Sequence, residues 1–333
     1  MDTVRWGIVG CGDVVEVKSG PALQKAHGSM LMAVMRRNLA LAEDFARRHE
    51  VARVHARAED LIEDPEVDAV YIATPPSTHC ELSLRVAAAG KPCLVEKPMA
   101  MNHPECLRMV EAFRTRGVPL WVAYYRRALP RYRTVRELLT GGAIGRVTSV
   151  RVEVMDRLAT GDRASAWRFR AAVAGGGLFL DMGSHCVDLL DFLIGEITGA
   201  SGFTVNTGGT YAVEDVTAAS FRMAGDVVGS GIWNFNAGAT RDTMVFIGSD
   251  GELRTPIFHE EDILLSTTQG DTLFPIRNPP HVHQPLIQSI VDELLGRGLC
   301  DSTAESGARA SRVLDLCLGR RLEAIDAAVA PMP

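Results

Sequence analysis

The sequence lacks any block of five or six like charges, and its 35 basic and 41 acidic residues leave a formal net charge of only −6. Nucleic acids and anionic membrane surfaces are held through concentrated positive charge, so neither is expected as a partner. No basic segment followed by an apolar core stands ahead of the strand-like run that begins at Val4. No later apolar run reaches the roughly 18 residues that cross a bilayer. The expectation is a cytoplasmic protein. Seven cysteines occur without a C-x-x-C pair, which removes the zinc-knuckle and disulfide-framework readings; reduced, packed thiols and no metal are expected.

What the chain does have is alternation. Over the first 125 residues, short apolar runs (Val4–Val9, Met30–Met35, Ala69–Ile72, Cys93–Val95, Leu120–Tyr124) are separated by helix-like segments at Ala40–His49, Ala58–Glu63, Ser77–Ala89 and Pro104–Arg116. That order predicts a doubly wound parallel sheet covered by helices, an α/β domain over 1–125. A helix over Pro130–Thr140 follows. The grammar then changes at Gly141-Gly142 to consecutive β-type runs: Arg146–Met155, Ala200–Val205, Val213–Arg222, Val227–Asn236, Thr243–Ile247 and Ile263–Ser266. Strands in succession predict an α+β domain over 126–333 with a large, open, mostly antiparallel sheet. Two closing helices, His283–Leu295 and Thr303–Ala328, are placed where they can pack back on the first domain.

Gly10-Cys11-Gly12-Asp13-Val14-Val15 sits where the first strand turns into a helix, the place a dinucleotide fold needs a tight turn and bare backbone. Gly10, Gly12, Asp13 and Val14 are therefore cofactor candidates. Val15 occupies the usual third small position and leaves the fingerprint incomplete, which puts the close packing of the first helix in question. The second strand ends in Arg36-Arg37-Asn38, without the acid that would select a free ribose 2′-hydroxyl. Two guanidiniums there suit a 2′-phosphate, so NADP(H) is expected over NAD(H).

The fifth strand runs into Glu96-Lys97-Pro98 at the carboxyl edge, where ligands of open α/β sheets sit. Further on, Gly175-Gly176-Gly177 precedes Asp181, His185 and Asp188, whose i, i+4, i+7 spacing shares one face of a regular helix. The three glycines allow close approach of either a ligand or another chain segment. Thr74-Pro75-Pro76-x-x-His79 completes a set that, with G-x-G, E-K-P and G-x-x-x-D-x-G-x-H, resembles the glucose-fructose oxidoreductase/inositol dehydrogenase/MocA family. The likeness extends to Tyr124-Tyr125-Arg126-Arg127, Trp167-Arg168, the turn at Gly248-Ser249-Asp250-Gly251 and the closing helix after His283.

The resemblance implies an N-terminal Rossmann domain, a C-terminal α+β domain and a site between them. It implies catalytic roles for Lys97, Asp181 and His185, with Thr74, Pro75, His79 and Glu96 near the nucleotide. It also implies hydride transfer between a nicotinamide cofactor and a secondary alcohol or carbonyl on a sugar, cyclitol or dihydrodiol-like substrate. Two other readings stay open: a glycosidase using transient oxidation by a held NAD, and a dinucleotide-binding protein without turnover. Of the three candidate catalytic groups only an imidazole ordinarily titrates near neutrality, which makes His185 the proton carrier, with a desolvated Lys97 as the other possibility. Tyr125, Arg126, Arg127, Trp167 and Arg168 are candidates to line the pocket for a polyol or sugar-like substrate. Apolar residues on both alternations of the run around Trp233 and Phe235 predict a sheet buried on both faces. A homodimer or homotetramer through the C-terminal sheet is therefore expected.

Overall fold

The computed structural model describes residues 2–161 and 166–320. Chain contacts divide them into two compact units, one of residues 2–129 and 279–308, the other of 130–278 and 309–320.

In the first unit, strands β1 (Val4–Val9), β2 (Ser29–Met35), β3 (Arg53–His55), β4 (Ala69–Ile72), β5 (Cys93–Val95) and β6 (Leu120–Val122) form one sheet. Its order is β3-β2-β1-β4-β5-β6 and every pairing is parallel, the arrangement of a Rossmann sheet. β4, β5 and β6 are buried at every residue, as strands covered on both faces must be. The covering helices are α1 (Gly20–Lys25), α2 (Leu39–Arg48), α3 (Ala58–Glu63), α4 (His79–Ala88) and α5 (His103–Arg116). Asn38 caps α2 by accepting the Leu41 N–H, and Asn102 caps α5 by accepting that of Glu105. β3 is absent from the sequence reading because its three residues, Arg53, Val54 and His55, carry no apolar run. Val15 is fully buried inside a π-helical turn, Val15–Ser19, that leads into α1, and the Ser19 hydroxyl bonds the Val14 carbonyl there. The bulky residue is thus accommodated by a widened turn.

The second unit opens with α6 (Pro130–Thr140) and contains β7 (Val147–Met155), α7 (Ala171–Ala174), α8 (Ser184–Leu193), β8 (Ile197–Val205), β9 (Val216–Met223) and β10 (Val227–Asn234). β11 (Arg241–Gly248), β12 (Gly251–Thr255), β13 (Ile263–Thr267) and β14 (Gly270–Phe274) complete an eight-stranded sheet ordered β14-β13-β12-β11-β7-β10-β9-β8. Only β7 and β10 pair in parallel. β12 and β14 were not anticipated, because glycine and polar residues interrupt their apolar pattern.

One face of this sheet is core: Val150, Val152, Val154, Phe221, Met223, Trp233, Met244, Phe246 and Leu253 are all buried. The expectation of burial on both faces is not met within a single chain. Ser220, Arg222, Val228 and Ser230 alternate outward and are exposed, and Ile232 is half-buried between Ala218 and Glu153 on the neighbouring strands.

The chain ends in α9 (Gln284–Leu294), in the first unit, and α10 (Ala304–Cys317), which starts in the first unit and finishes in the second. The helix expected to reach Ala328 stops at Cys317. Gly319 takes a left-handed φ of 69° and the Arg320 N–H turns back to the Asp315 carbonyl, a glycine-type helix end. Residues 321–328 of that expectation lie outside the described residues. No helix among the described residues is long and apolar enough to cross a membrane.

Candidate active site

The turn after β1 shows why two glycines are needed. Gly10 has φ +98°, and a Cβ there would stand 2.8 Å from Thr74 Cγ2 and 3.0 Å from the Ala73 carbonyl carbon. A Cβ on Gly12 would meet nothing within 4 Å, so the space over the loop is open and walled by bare backbone. The Gly12 N–H bonds the Gly10 carbonyl at 2.8 Å, and Asp13 and Val14 begin the helical segment, which aims its first amides outward from the loop. Arg36 is half-buried at the end of β2 with Nη1 3.3 Å from the Cys11 carbonyl, while Arg37 is exposed. A bare turn, open space, helix amides and two cations suit a dinucleotide whose pyrophosphate lies over Gly12. The Cys11 thiol is pushed up by burial against the pull of Arg36 and packs as a neutral group.

At the next strand ends the side chains are locked from beneath. His79 has no exposed surface. Its Nε2 lies 2.8 Å from the Thr74 carbonyl, and its Nδ1 lies 3.1 and 3.3 Å from those of Pro98 and Met99. The ring, pushed toward its neutral form by burial, ties the loop after β4 to the segment following Lys97. Glu96 turns inward: its Oε1 accepts from the Tyr71 hydroxyl and its Oε2 from the Lys97 N–H at 3.1 Å. The Thr74 hydroxyl accepts from Thr78 at 2.7 Å, and Pro75 leads directly into the short turn Pro76–Thr78. Lys97 is half-buried at this carboxyl edge.

After β6 the chain makes a tight turn, Tyr125–Ala128. Tyr125 stacks on His283 at 4.5 Å between ring centroids, and the Arg126 guanidinium lies 4.8 Å over the same tyrosine ring. Arg126 Nη1 donates to the Tyr125 hydroxyl at 2.9 Å. Arg127, expected to line the pocket, is buried and donates to the Asp301 carbonyl at 3.2 Å.

In the second unit, the segment carrying Asp181 is not a regular α-helix. Phe179–Gly183 is a π-helical turn running into α8, and the Ser184 hydroxyl occupies the Asp181 carbonyl at 3.0 Å, displacing the regular ladder. Phe179 packs edge-on to Trp233 at 4.8 Å, and Trp233 donates to Cys186 Sγ, seating α8 on the sheet. His185 is buried with Phe258 edge-on at 6.2 Å. Asp181 remains partly open and faces Arg168 Nε at 3.3 Å; the Arg168 guanidinium in turn covers the Trp167 ring at 4.6 Å. Asp188 is buried.

Gly175 ends α7 with a left-handed φ of 86°, and Gly176 and Gly177 serve another chain segment. A Cβ on Gly177 would lie 2.2 Å from the Glu214 carbonyl oxygen, and the Gly177 N–H donates to Glu214 Oε1 at 2.7 Å. Burial pushes the Glu214 carboxyl up, with that amide opposing it.

Comparison with known proteins decides the family. Residues 4–124 match the model described as "Oxidoreductase family, NAD-binding Rossmann fold", and residues 132–254 match that of the GFO/IDH/MocA C-terminal domain. The chain belongs to the GFO/IDH/MocA family. It is 37% identical over 319 residues to Oxidoreductase P35 of Formosa agariphila, covering 95% of this chain and 98% of that protein. It is 30% identical over 292 residues to the trans-1,2-dihydrobenzene-1,2-diol dehydrogenase of Danio rerio, 85% of this chain and 82% of that one. Among solved structures, a levoglucosan dehydrogenase in complex with NADH and levoglucosan superposes with a TM-score of 0.86 at 21% identity, over 95% of this chain and 96% of the other. This GFO/IDH/MocA protein is therefore an NAD(P)-dependent oxidoreductase, and its two sheets are those of the family fold.

Sequence reasoning missed His283, Tyr71 and Glu214. Tyr71 lies in the apolar run Ala69–Ile72 and His283 opens the expected closing helix, but neither position signals a role in a site; each of the three acts through a partner from another strand or loop. His283, only 2% exposed, carries a measurable consequence. Burial, reinforced by the positive charges of Lys18, Lys97 and Arg126, pushes the ring down to about 3. An unfolded histidine takes its proton near pH 6.5. Between these values the unfolded chain binds the extra proton, so this contribution to stability is complete above about pH 6.5 and is lost as the pH falls. Denaturant midpoints should therefore drop between pH 7 and pH 5, before carboxylates titrate, and His283→Gln should flatten that drop. An equally steep drop in the variant would remove His283 as its source.

Proposed function

We propose that this oxidoreductase prefers NADP(H) and interconverts a secondary alcohol and a carbonyl on a small polyhydroxylated substrate, with Lys97, Asp181 and His185 as its catalytic groups. The observation that carries the reading is Lys97. It stands half-buried at the carboxyl edge of the Rossmann sheet, just after β5, while its neighbour Glu96 is turned into the core. When bound, the nicotinamide supplies the hydride chemistry; what remains for the protein is the proton. His185 takes the proton from the alcohol in oxidation and returns it in reduction. Asp181 orients that ring or holds a neighbouring substrate hydroxyl, and Lys97 hydrogen-bonds the reacting oxygen and stabilises its developing negative charge. Relatives named for a dihydrodiol and for 1,5-anhydro-D-fructose support a sugar or diol as substrate, and Trp167, half-buried beside Arg168, offers an aromatic surface for such a ring.

The test is a panel of sugars, inositols and dihydrodiols assayed with each cofactor at the reduced-nicotinamide absorbance. Turnover with at least one member, more efficient with NADP(H), is the expected result. Hydrolysis of a chromogenic glycoside without net change in that absorbance would replace this reading by transient oxidation.

We also propose that the protein self-associates through the outward face of the second-unit sheet. Phe203 on β8 is 83% exposed, and Val205 and Val228 on the same face are more than half exposed. Apolar side chains left on an open sheet face mark an interface more often than bare surface. Light scattering at micromolar concentration should give a mass of at least two chains, and Phe203→Glu should lower it. A monomeric parent protein would dispose of the proposal.

A further inference from the structure

We propose that Glu214 is a positioning residue for the reaction: by accepting the Gly177 amide it fixes the turn that carries Asp181 and leads into His185. This rests on the catalytic roles given above to those two residues and adds the residue that holds their segment in place.

The segment before Asp181 has little with which to hold itself. Gly175, Gly176 and Gly177 offer no side chains to pack, and glycine has more backbone freedom to lose on folding than any other residue. The turn is tied from outside instead. The Gly175 carbonyl accepts from Arg320 Nη2, and the Gly177 N–H donates to Glu214 Oε1 at 2.7 Å. On the other side of the same α-carbon, the Gly177 carbonyl accepts from the Leu180 N–H at 3.1 Å, at the entry to the π-helical turn Phe179–Gly183. Leu180 precedes Asp181, and Gly183 leads directly into α8 with His185 in its first turn. The residue that Glu214 grips is thus the one whose carbonyl starts the turn. The two backbones are also pressed together, since a Cβ on Gly177 would stand 2.2 Å from the Glu214 carbonyl oxygen.

Glu214 is itself held by its neighbours. It lies in the connection between β8 and β9, and the next residue, Asp215, braces that loop: its buried carboxylate accepts from the Thr207 N–H at 2.8 Å, the Thr207 hydroxyl at 3.0 Å and the Gly208 N–H at 2.7 Å. Asn206 Nδ2 donates to the carbonyls of Tyr211 and Val213. Tyr211 stacks on Phe169 at 4.2 Å between centroids, and Val213 is buried with Phe169 and Ala159. Leu178, the residue between Gly177 and Phe179, packs against this cluster, so the loop and the turn share one small core. The loop is shaped by Asp215 and Asn206, which leaves the half-buried Glu214 side chain directed at one amide of the catalytic segment. A carboxylate on an N–H makes a shorter and stronger bond than two neutral groups do. Its loss frees the amide that anchors the turn, and a misplacement of about 1 Å at a catalytic group can cost about 10²-fold in rate.

The experiment separates reach from charge in the full chain. Glu214→Gln keeps an acceptor oxygen at the same reach without the charge, Glu214→Asp keeps the charge but stops one methylene short, and Glu214→Ala removes both. Turnover is measured with whichever sugar, inositol or dihydrodiol of the panel above is used, and expressed per NADPH-binding site so that misfolded chains drop out. Glu214→Ala and Glu214→Asp should lower kcat by about 10- to 100-fold with NADPH affinity unchanged, and Glu214→Gln should restore most of it. A role in stability alone would lower the melting temperature and leave kcat per site where it was. Hydrogen exchange over residues 176–183 reads the tie without turnover: it should quicken in the alanine and aspartate variants and stay near the parental rate in the glutamine variant. If the alanine variant fails to fold, the other two decide. A parental kcat per site in Glu214→Asp, a loss in Glu214→Gln as large as in Glu214→Asp, or unaltered exchange would overturn the proposal while leaving the redox reading intact. Turnover that survives His185→Ala, or none with any compound, together with exchange that follows reach as described, leaves the tie standing and brings down the redox reading.

Discussion

Replacing His185 with alanine should lower turnover by about 10²–10⁴-fold while leaving NADPH binding in place, because that is the usual cost of removing a general acid–base group. The pH profile is the sharper readout. A secondary alcohol cannot give up a hydride without losing its proton, and an imidazole is the side chain that ordinarily exchanges one near neutrality. The near-neutral limb of kcat should vanish in His185→Ala. In Lys97→Met the rate should fall and the limb persist, since a donor that stabilises the charge on the reacting oxygen does not itself carry the transferred proton. His185 is buried on α8, so its environment is set by packing, and Asp181, within the π-helical turn Phe179–Gly183, faces Arg168. A limb that survives in His185→Ala and disappears in Lys97→Met would move the proton to Lys97.

The second large effect concerns the cofactor. Arg36→Ala combined with Arg37→Ala should erase most of the preference for NADP(H), a loss of about 10- to 150-fold in NADPH binding, with NAD(H) use largely spared. The structure separates the two arginines. Arg36 is steadied by the Cys11 carbonyl, next to the glycine turn, whereas Arg37 is open to solvent and Asn38 is occupied in capping α2. Arg36→Ala alone should account for most of the loss, because a steadied fork surrenders less rotamer freedom on binding. Fluorescence titration of both reduced cofactors into the parent and the variants measures this. Equal catalytic efficiencies with the two cofactors in the parent protein would defeat it.

These two sites differ in how far they can be read from the chain. The glycine turn, the arginines after β2 and the end of β5 lie at strand termini, and strands such as Ala69–Ile72 and Cys93–Val95 announce themselves by unbroken apolar residues. The sequence places Gly10, Arg36 and Lys97 at the carboxyl edge for that reason. It is silent on β3, where a single valine stands between Arg53 and His55, and on both π-helical turns, because Ser19 and Ser184 are unremarkable residues until their hydroxyls are seen on the carbonyls of Val14 and Asp181. The same limit hid His283. Its meaning arises from Tyr125, more than 150 residues earlier in the sequence, and no periodicity links residues that meet only in the folded chain.

The last strand of the Rossmann sheet has a consequence for biosynthesis. The backbone of Trp121 bridges to Thr303, the Ser302 hydroxyl donates to the Val122 carbonyl at 2.7 Å, and Gly307 is so close to Val122 that a Cβ would lie 2.4 Å from its side chain. The β6 edge of the sheet is therefore finished by residues that leave the ribosome about 180 positions later. A nascent chain that has emerged only as far as residue 278 holds six strands of the right sequence and an uncovered β6 edge, the kind of edge that pairs with neighbouring chains. Chaperone demand should peak in that interval of translation. A stop codon placed there should yield aggregated protein in place of a free nucleotide-binding fragment.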